Sequence, residues 1–107
     1  MKRKIKIFKA KISDVLDYFG YKKWDSMKTL RDGSIMISSP FGVDSSPSFH
    51  MTDDVKWFDF SNNTEAAKGG DSLRLIALLG NLDLNSDFQK ILTINRRILC
   101  NMMKKTN

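Results

Sequence analysis

The chain has 107 residues, 41% hydrophobic and 28% charged, with two prolines, one cysteine and one histidine. That length suits one self-sufficient core but not a core plus a second catalytic domain, and no apolar run approaches a membrane span or a secretory signal. The lone Cys100 excludes an intramolecular disulfide, so the expectation is a cytoplasmic protein with no membrane partner.

The net charge of +6 is unevenly placed. Lys2, Arg3, Lys4, Lys6, Lys9 and Lys11 fall within the first eleven residues without an acid among them, and the remaining twelve Lys and Arg balance twelve Asp and Glu. Residues 1 to 11 therefore read as a basic N-terminal arm or an edge strand, with Lys4 to Phe8 alternating charged and apolar residues. Residues 12 to 103 read as a single domain and 104 to 107 as a frayed tail.

Ile12, Val15, Leu16 and Phe19 follow the spacing of an amphipathic helix that Gly20 closes. Met27 to Arg31 and Ser34 to Ser38 flank Asp32-Gly33, a two-residue hairpin turn that would set Leu30 opposite Ile35 and Lys28 opposite Ile37. A second pair of strands, Ser48 to Thr52 and Val55 to Phe60, joins at Asp53-Asp54. Asp71 is a natural N-cap for an apolar helix that Gly80 stops, and Ser86-Asp87-Phe88-Gln89 fits a capping box that opens a last helix. The fold class these elements predict is α+β: a small antiparallel sheet with one helix before it and two after.

Four motifs run through this framework: Ser39-Pro40-Phe41-Gly42, Ser46-Pro47-Ser48-Phe49, Trp57-Phe58-Asp59-Phe60 and Gly69-Gly70-Asp71. In order and spacing they resemble the N-terminal zinc-ribbon domain of bacterial-type DNA primases. That family runs Cys-Pro-Phe-His, Thr-Pro-Ser-Phe, an aromatic stretch with Cys-x-x-Cys, then Gly-Gly-Asp. The resemblance covers roughly residues 12 to 99. At the family's four ligand positions this chain has Ser39, Gly42, Asp59 and Asn62, with no thiolate or imidazole among them. The resemblance is thus to a degenerate, zinc-ribbon-like form with no metal and no cofactor. Burial of Phe41, Phe49, Trp57, Phe58 and Phe60 is expected to take the place of the metal.

The resemblance implies a module that contacts single-stranded DNA beside a separate primase catalytic domain, in replication of a mobile element or phage by analogy. No P-loop, nucleophile elbow or metal-ligand cluster occurs, so no enzyme activity is expected of the chain itself. Single-strand binding needs cations for phosphates and exposed aromatics for bases. The residues nominated are Lys22, Lys23, Lys28, Arg31, His50, Lys56, Trp57, Phe58 and Arg74. Alternation from Val55 places Val55 and Trp57 on one face of the second hairpin and Lys56, Phe58 and Phe60 on the other. The competing expectation is a protein-interaction module that docks onto a helicase or a primase core. A large exposed apolar patch would favour docking, and a basic groove with stacked aromatics would favour nucleic acid.

Overall fold

Two tight loops fold the middle of the chain back on itself twice, and the strands they join form one sheet. The computed structural model describes residues 8–22, 24, 27–40, 47–60 and 69–105. Strands β1 (Lys28–Thr29), β2 (Ile35–Ser38), β3 (Pro47–Thr52) and β4 (Lys56–Asp59) pair antiparallel in the order β1-β2-β3-β4. Helix α1 (Ile12–Tyr18) precedes the sheet, and α2 (Ser72–Leu79) and α3 (Phe88–Lys105) follow it. The expected α+β class and element order are present. Arm residues 1–7 lie outside the described residues, as do 41–46, which include Phe41 and Gly42, and 61–68, which include Asn62.

The first hairpin differs from expectation by one residue of register. Lys28 pairs with Met36 and Thr29 with Ile35. The cause is a three-residue loop: the Gly33 amide donates to the Leu30 carbonyl at 3.0 Å, and the Leu30 amide donates to the Ser34 carbonyl at 2.8 Å. Only Gly33 takes a positive φ, at 87°, so the turn is followed by one left-handed residue instead of having two within it. Because side chains alternate across a sheet, this single step moves Ser34 and Met36 onto the face that carries Lys28 and Leu30. The second hairpin turns at Asp53 and Asp54, with φ of 51° and 59°, a conformation that aspartate tolerates better than most residues.

That second turn also secures the first helix. Asp54 accepts hydrogen bonds from the Ser13 amide at 2.8 Å and the Ser13 hydroxyl at 2.6 Å, while its carbonyl accepts from the Ile12 amide at 3.0 Å. The amides at the start of α1, which no residue of the helix can satisfy, are thus met from 41 residues away. The helix ends as its sequence predicts, with Gly20 at φ 83° and the Tyr21 amide donating to the Leu16 carbonyl.

Asp71 caps α2 through a 3.0 Å bond from the Arg74 amide. At the far end Gly80 keeps a helical φ of −87°, and it is Asn81 that takes the left-handed turn, at 55°. The cap before α3 is also displaced from Ser86 to Asp83. Its carboxylate accepts from the Asn85 and Ser86 amides, while Asp87 accepts from the Asp83 amide. Those bonds hold the Asp83 carboxyl below its ordinary range.

All three helices cover one side of the sheet. Ile37, Phe49, Met51 and Trp57 project from it into a core shared with Ile12, Val15, Leu16, Leu75, Ile76, Ile91 and Ile98. Phe49 and Trp57 stack with ring centroids 5.4 Å apart. Asn95 on α3 is buried, and it treats the segment before α1 as a strand would. Its Oδ1 accepts from the Ala10 amide and its Nδ2 donates to the Phe8 carbonyl, both at 2.8 Å.

Candidate nucleic-acid interface

The other side of the sheet, which no helix among the described residues covers, carries a row of side chains running across all four strands. The Cα pairings Lys28–Met36, Met36–His50 and His50–Phe58 define it, and adjacent strands set its members about 5 Å apart. One step beyond Phe58 on the same face is Phe60, whose amide donates to the Ser48 carbonyl. Phe60 is 65% exposed and Phe58 37%. Their ring centroids lie 4.7 Å apart, and Phe60 lies 6.1 Å from the imidazole of His50. Three flat π faces thus form one cluster on an open surface, with Lys56 exposed on the same face of β4, Lys28 at the other end of the row, and Arg31 exposed in the loop above it.

A polar chain braces the row from below. Ser34, almost fully buried, donates its hydroxyl to the Asp32 carboxylate, and its amide donates to the same carboxylate at 2.9 Å. The Ser34 oxygen in turn meets His50 Nε2 at 2.8 Å. The Ser34 hydroxyl and amide hold the Asp32 carboxyl below its ordinary range.

The structure therefore gathers Lys28, Arg31, His50, Lys56 and Phe58 on or beside one surface. Trp57 is a correction. It is 3% exposed, stacked on Phe49 in the core, with Nε1 donating to the Asp71 carbonyl at 2.7 Å, and it is not available to a base. The expectation that Phe58 and Phe60 replace a metal by burial is likewise overturned, since of the aromatics expected to do so, Phe49 and Trp57 alone are buried among the described residues. Lys22 is exposed on the helical side, at a hollow lined by Leu16, Phe19, Tyr21, Pro40 and Leu79, away from the row. Arg74 is half-buried on α2 against Gly70, beyond the edge of β4. Lys23 lies outside the described residues.

Three residues of the surface escaped nomination. Phe60 was legible, because the alternation that selects Phe58 selects it too. Met36 and Ser34 were not, because the one-residue slip in the first hairpin had assigned them elsewhere.

The motifs behind the resemblance have structural roles here. Ser39 and Asp59, 20 residues apart and 1% and 0% exposed, meet in a buried hydrogen bond from hydroxyl to carboxylate. One hydroxyl and one carboxylate already engaged with each other do not make a zinc donor set, which needs four convergent, mainly sulfur or nitrogen ligands. Among the described residues no three His, Cys, Asp or Glu side chains converge as a cation would require. Gly70 pairs with Trp57 through two backbone hydrogen bonds of 3.0 Å. Gly69 has φ 70°, and a Cβ there would come within 2.3 Å of the Trp57 carbonyl, so a larger residue would force this contact apart.

Asp71 links that motif to the N-terminal segment through a 2.8 Å ion pair with Lys9. Burial pushes its carboxyl up, but the hydrogen bonds from Lys9 and the Arg74 amide outweigh this and hold it below the ordinary 3.8. A groove of about 590 Å³ runs past this pair, lined by Lys9, Val55, Lys56 and Gly70. No helix among the described residues is long and apolar enough to cross a membrane.

Fold and surface together define a small α+β domain whose sheet is helix-covered on one side and aromatic on the other. No protein-family model, curated protein or solved structure matches the chain.

Proposed function

We propose that the chain is a primase-type nucleic-acid-binding module that lays single-stranded DNA across the open face of its sheet. The observation that carries this reading is the cluster of exposed Phe58 and Phe60 with half-buried His50, with Lys28 and Lys56 at its margins. An aromatic ring left in water forgoes the favourable transfer of its apolar surface out of water. Stacking on unpaired bases recovers it, at roughly 1–3 kcal/mol per base. The buried Ser39–Asp59 contact adds support, because it joins two positions that the primase resemblance pairs as ligands. In this reading the chain acts as a DNA-binding accessory in replication, of a phage or mobile element by analogy, next to a catalytic primase domain or a helicase.

The docking alternative draws on the apolar hollow beneath Phe19 and Tyr21. It is the weaker reading, because that hollow does not join the exposed aromatics into one large patch.

Fluorescence anisotropy of a labelled single-stranded oligonucleotide, titrated at several salt concentrations, tests the proposal. Three cations at the surface imply a log–log salt slope of about −2, steeper if the arm contributes. A companion chain with Lys2, Arg3, Lys4 and Lys6 changed to glutamine separates the arm from the sheet. Absence of binding by either chain at low salt makes docking the leading reading.

A further inference from the structure

His50 is the one histidine of the chain, and it stands half-buried near the centre of the cross-strand row. Its hydrogen bonding fixes more than its position. An ionised carboxylate only accepts, so the hydroxyl proton of Ser34 lies toward Asp32 and the Ser34 oxygen is left as an acceptor. The Nε2 atom 2.8 Å away must therefore be the donor. A neutral imidazole so held carries its proton on Nε2 and a lone pair on Nδ1, and Nδ1 has no partner among the described residues.

We propose that His50 reads the edge of a base stacked at Phe58 and Phe60, its Nδ1 accepting a hydrogen bond from an N–H there, so that a base with that donor blocked binds less well. This rests on the single-strand reading above. The cluster by itself tolerates any base, since every base has a π face. An acceptor on an imidazole whose centroid lies 6.1 Å from that of the Phe60 ring adds a requirement for a free donor at the base edge. The Asp32–Ser34 pair is the positioning element that holds the tautomer. The charged groups around His50 are Arg31 and Asp32 from the β1–β2 loop, Lys28 on β1, Lys56 on β4 and Asp53 in the β3–β4 turn, while Asp59 lies on the opposite face. An imidazolium would carry a proton on Nδ1 as well, so the contact is a property of the neutral form.

The test is competition for a labelled oligothymidylate by unlabelled oligothymidylate or by an oligomer of N3-methylthymidine, which keeps phosphates and ring but lacks the imino donor. The chain is expected to prefer thymidylate by about fivefold, the value of one hydrogen bond. His50→Phe is expected to bind both oligomers alike, and Ser34→Ala to show a reduced preference. Equal competition by both oligomers overturns the role of His50 and leaves single-strand binding standing. An undiminished preference in His50→Phe assigns it to the bulk of the methyl group and also overturns the proposal. Failure of the wild-type chain to bind the label removes both readings. Nitrogen-15 NMR of the single imidazole in the free chain is expected to show the proton on Nε2, and a proton on Nδ1 defeats the inference independently of DNA.

Discussion

Strands β3 and β4 present two faces of similar composition and opposite fate. Phe49, Met51 and Trp57 point under the helices and are buried, whereas Phe58 and Phe60 point away and stay exposed, with His50 half-buried beside them. The two sets alternate along residues 49 to 60, so hydrophobicity alone does not separate them. What separates them is that α1, α2 and α3 all pack on one side. An aromatic on the covered side contributes its transfer energy to folding, and one on the open side contributes less of it.

Substitutions on the two faces should therefore be read by different instruments. The largest effect is expected at Trp57, where Trp57→Ala removes the ring stacked on Phe49 and the bond to Asp71. Loss of about 3–5 kcal/mol is expected in urea unfolding, close to the whole stability of a small domain. A loss below about 1 kcal/mol would mean that the two faces are not energetically distinct. On the open side, the double change Phe58→Ala and Phe60→Ala is expected to weaken single-strand binding by about 2 kcal/mol or more while moving the unfolding midpoint little. If stability falls and affinity does not, these rings belong to the fold.

Ser39→Ala sharpens the comparison at the sheet margin. It leaves the fully buried Asp59 carboxylate short of one donor, and a loss of about 1–3 kcal/mol is expected. No change in the unfolding midpoint would show that the contact is incidental. The smallest effect concerns pH. The folded Asp71 carboxyl lies below 3.8, so its contribution is fully present above that value and is lost as pH falls through the lower folded value. Its side chain is 35% exposed, so solvent screening keeps the contribution modest. Asp71→Asn should flatten the acid limb of the stability profile, and an unchanged limb would place the acid sensitivity elsewhere.

Local signals carried the framework. The aspartate-rich turn between β3 and β4, the Gly20 stop, the Asp71 cap and the alternation along β4 all depend on neighbours in sequence, and each is present in the fold. What escaped depends on residues far away or on one extra residue. The Arg31-Asp32-Gly33 loop differs from a two-residue turn only in backbone angles that Asp-Gly permits either way, yet it reverses the facing of Ser34 and Met36. Asp54 capping Ser13 is invisible to any local window. Trp57 was assigned correctly to the face opposite Phe58, but which face the helices cover is a tertiary fact that alternation does not contain. Five of the eight residues of the surface were therefore legible as a set, and its orientation was not.

The amide of Asn95 meets a backbone made 85 residues earlier. During synthesis on a ribosome, the segment around Phe8 and Ala10 leaves the exit tunnel long before its partner exists. The ion pair between Lys9 and Asp71 joins partners both made before α3, whereas the two bonds to Asn95 can form only once α3 has been synthesised. The N-terminal segment is thus tied into the domain by a contact available early and by two available only at the end.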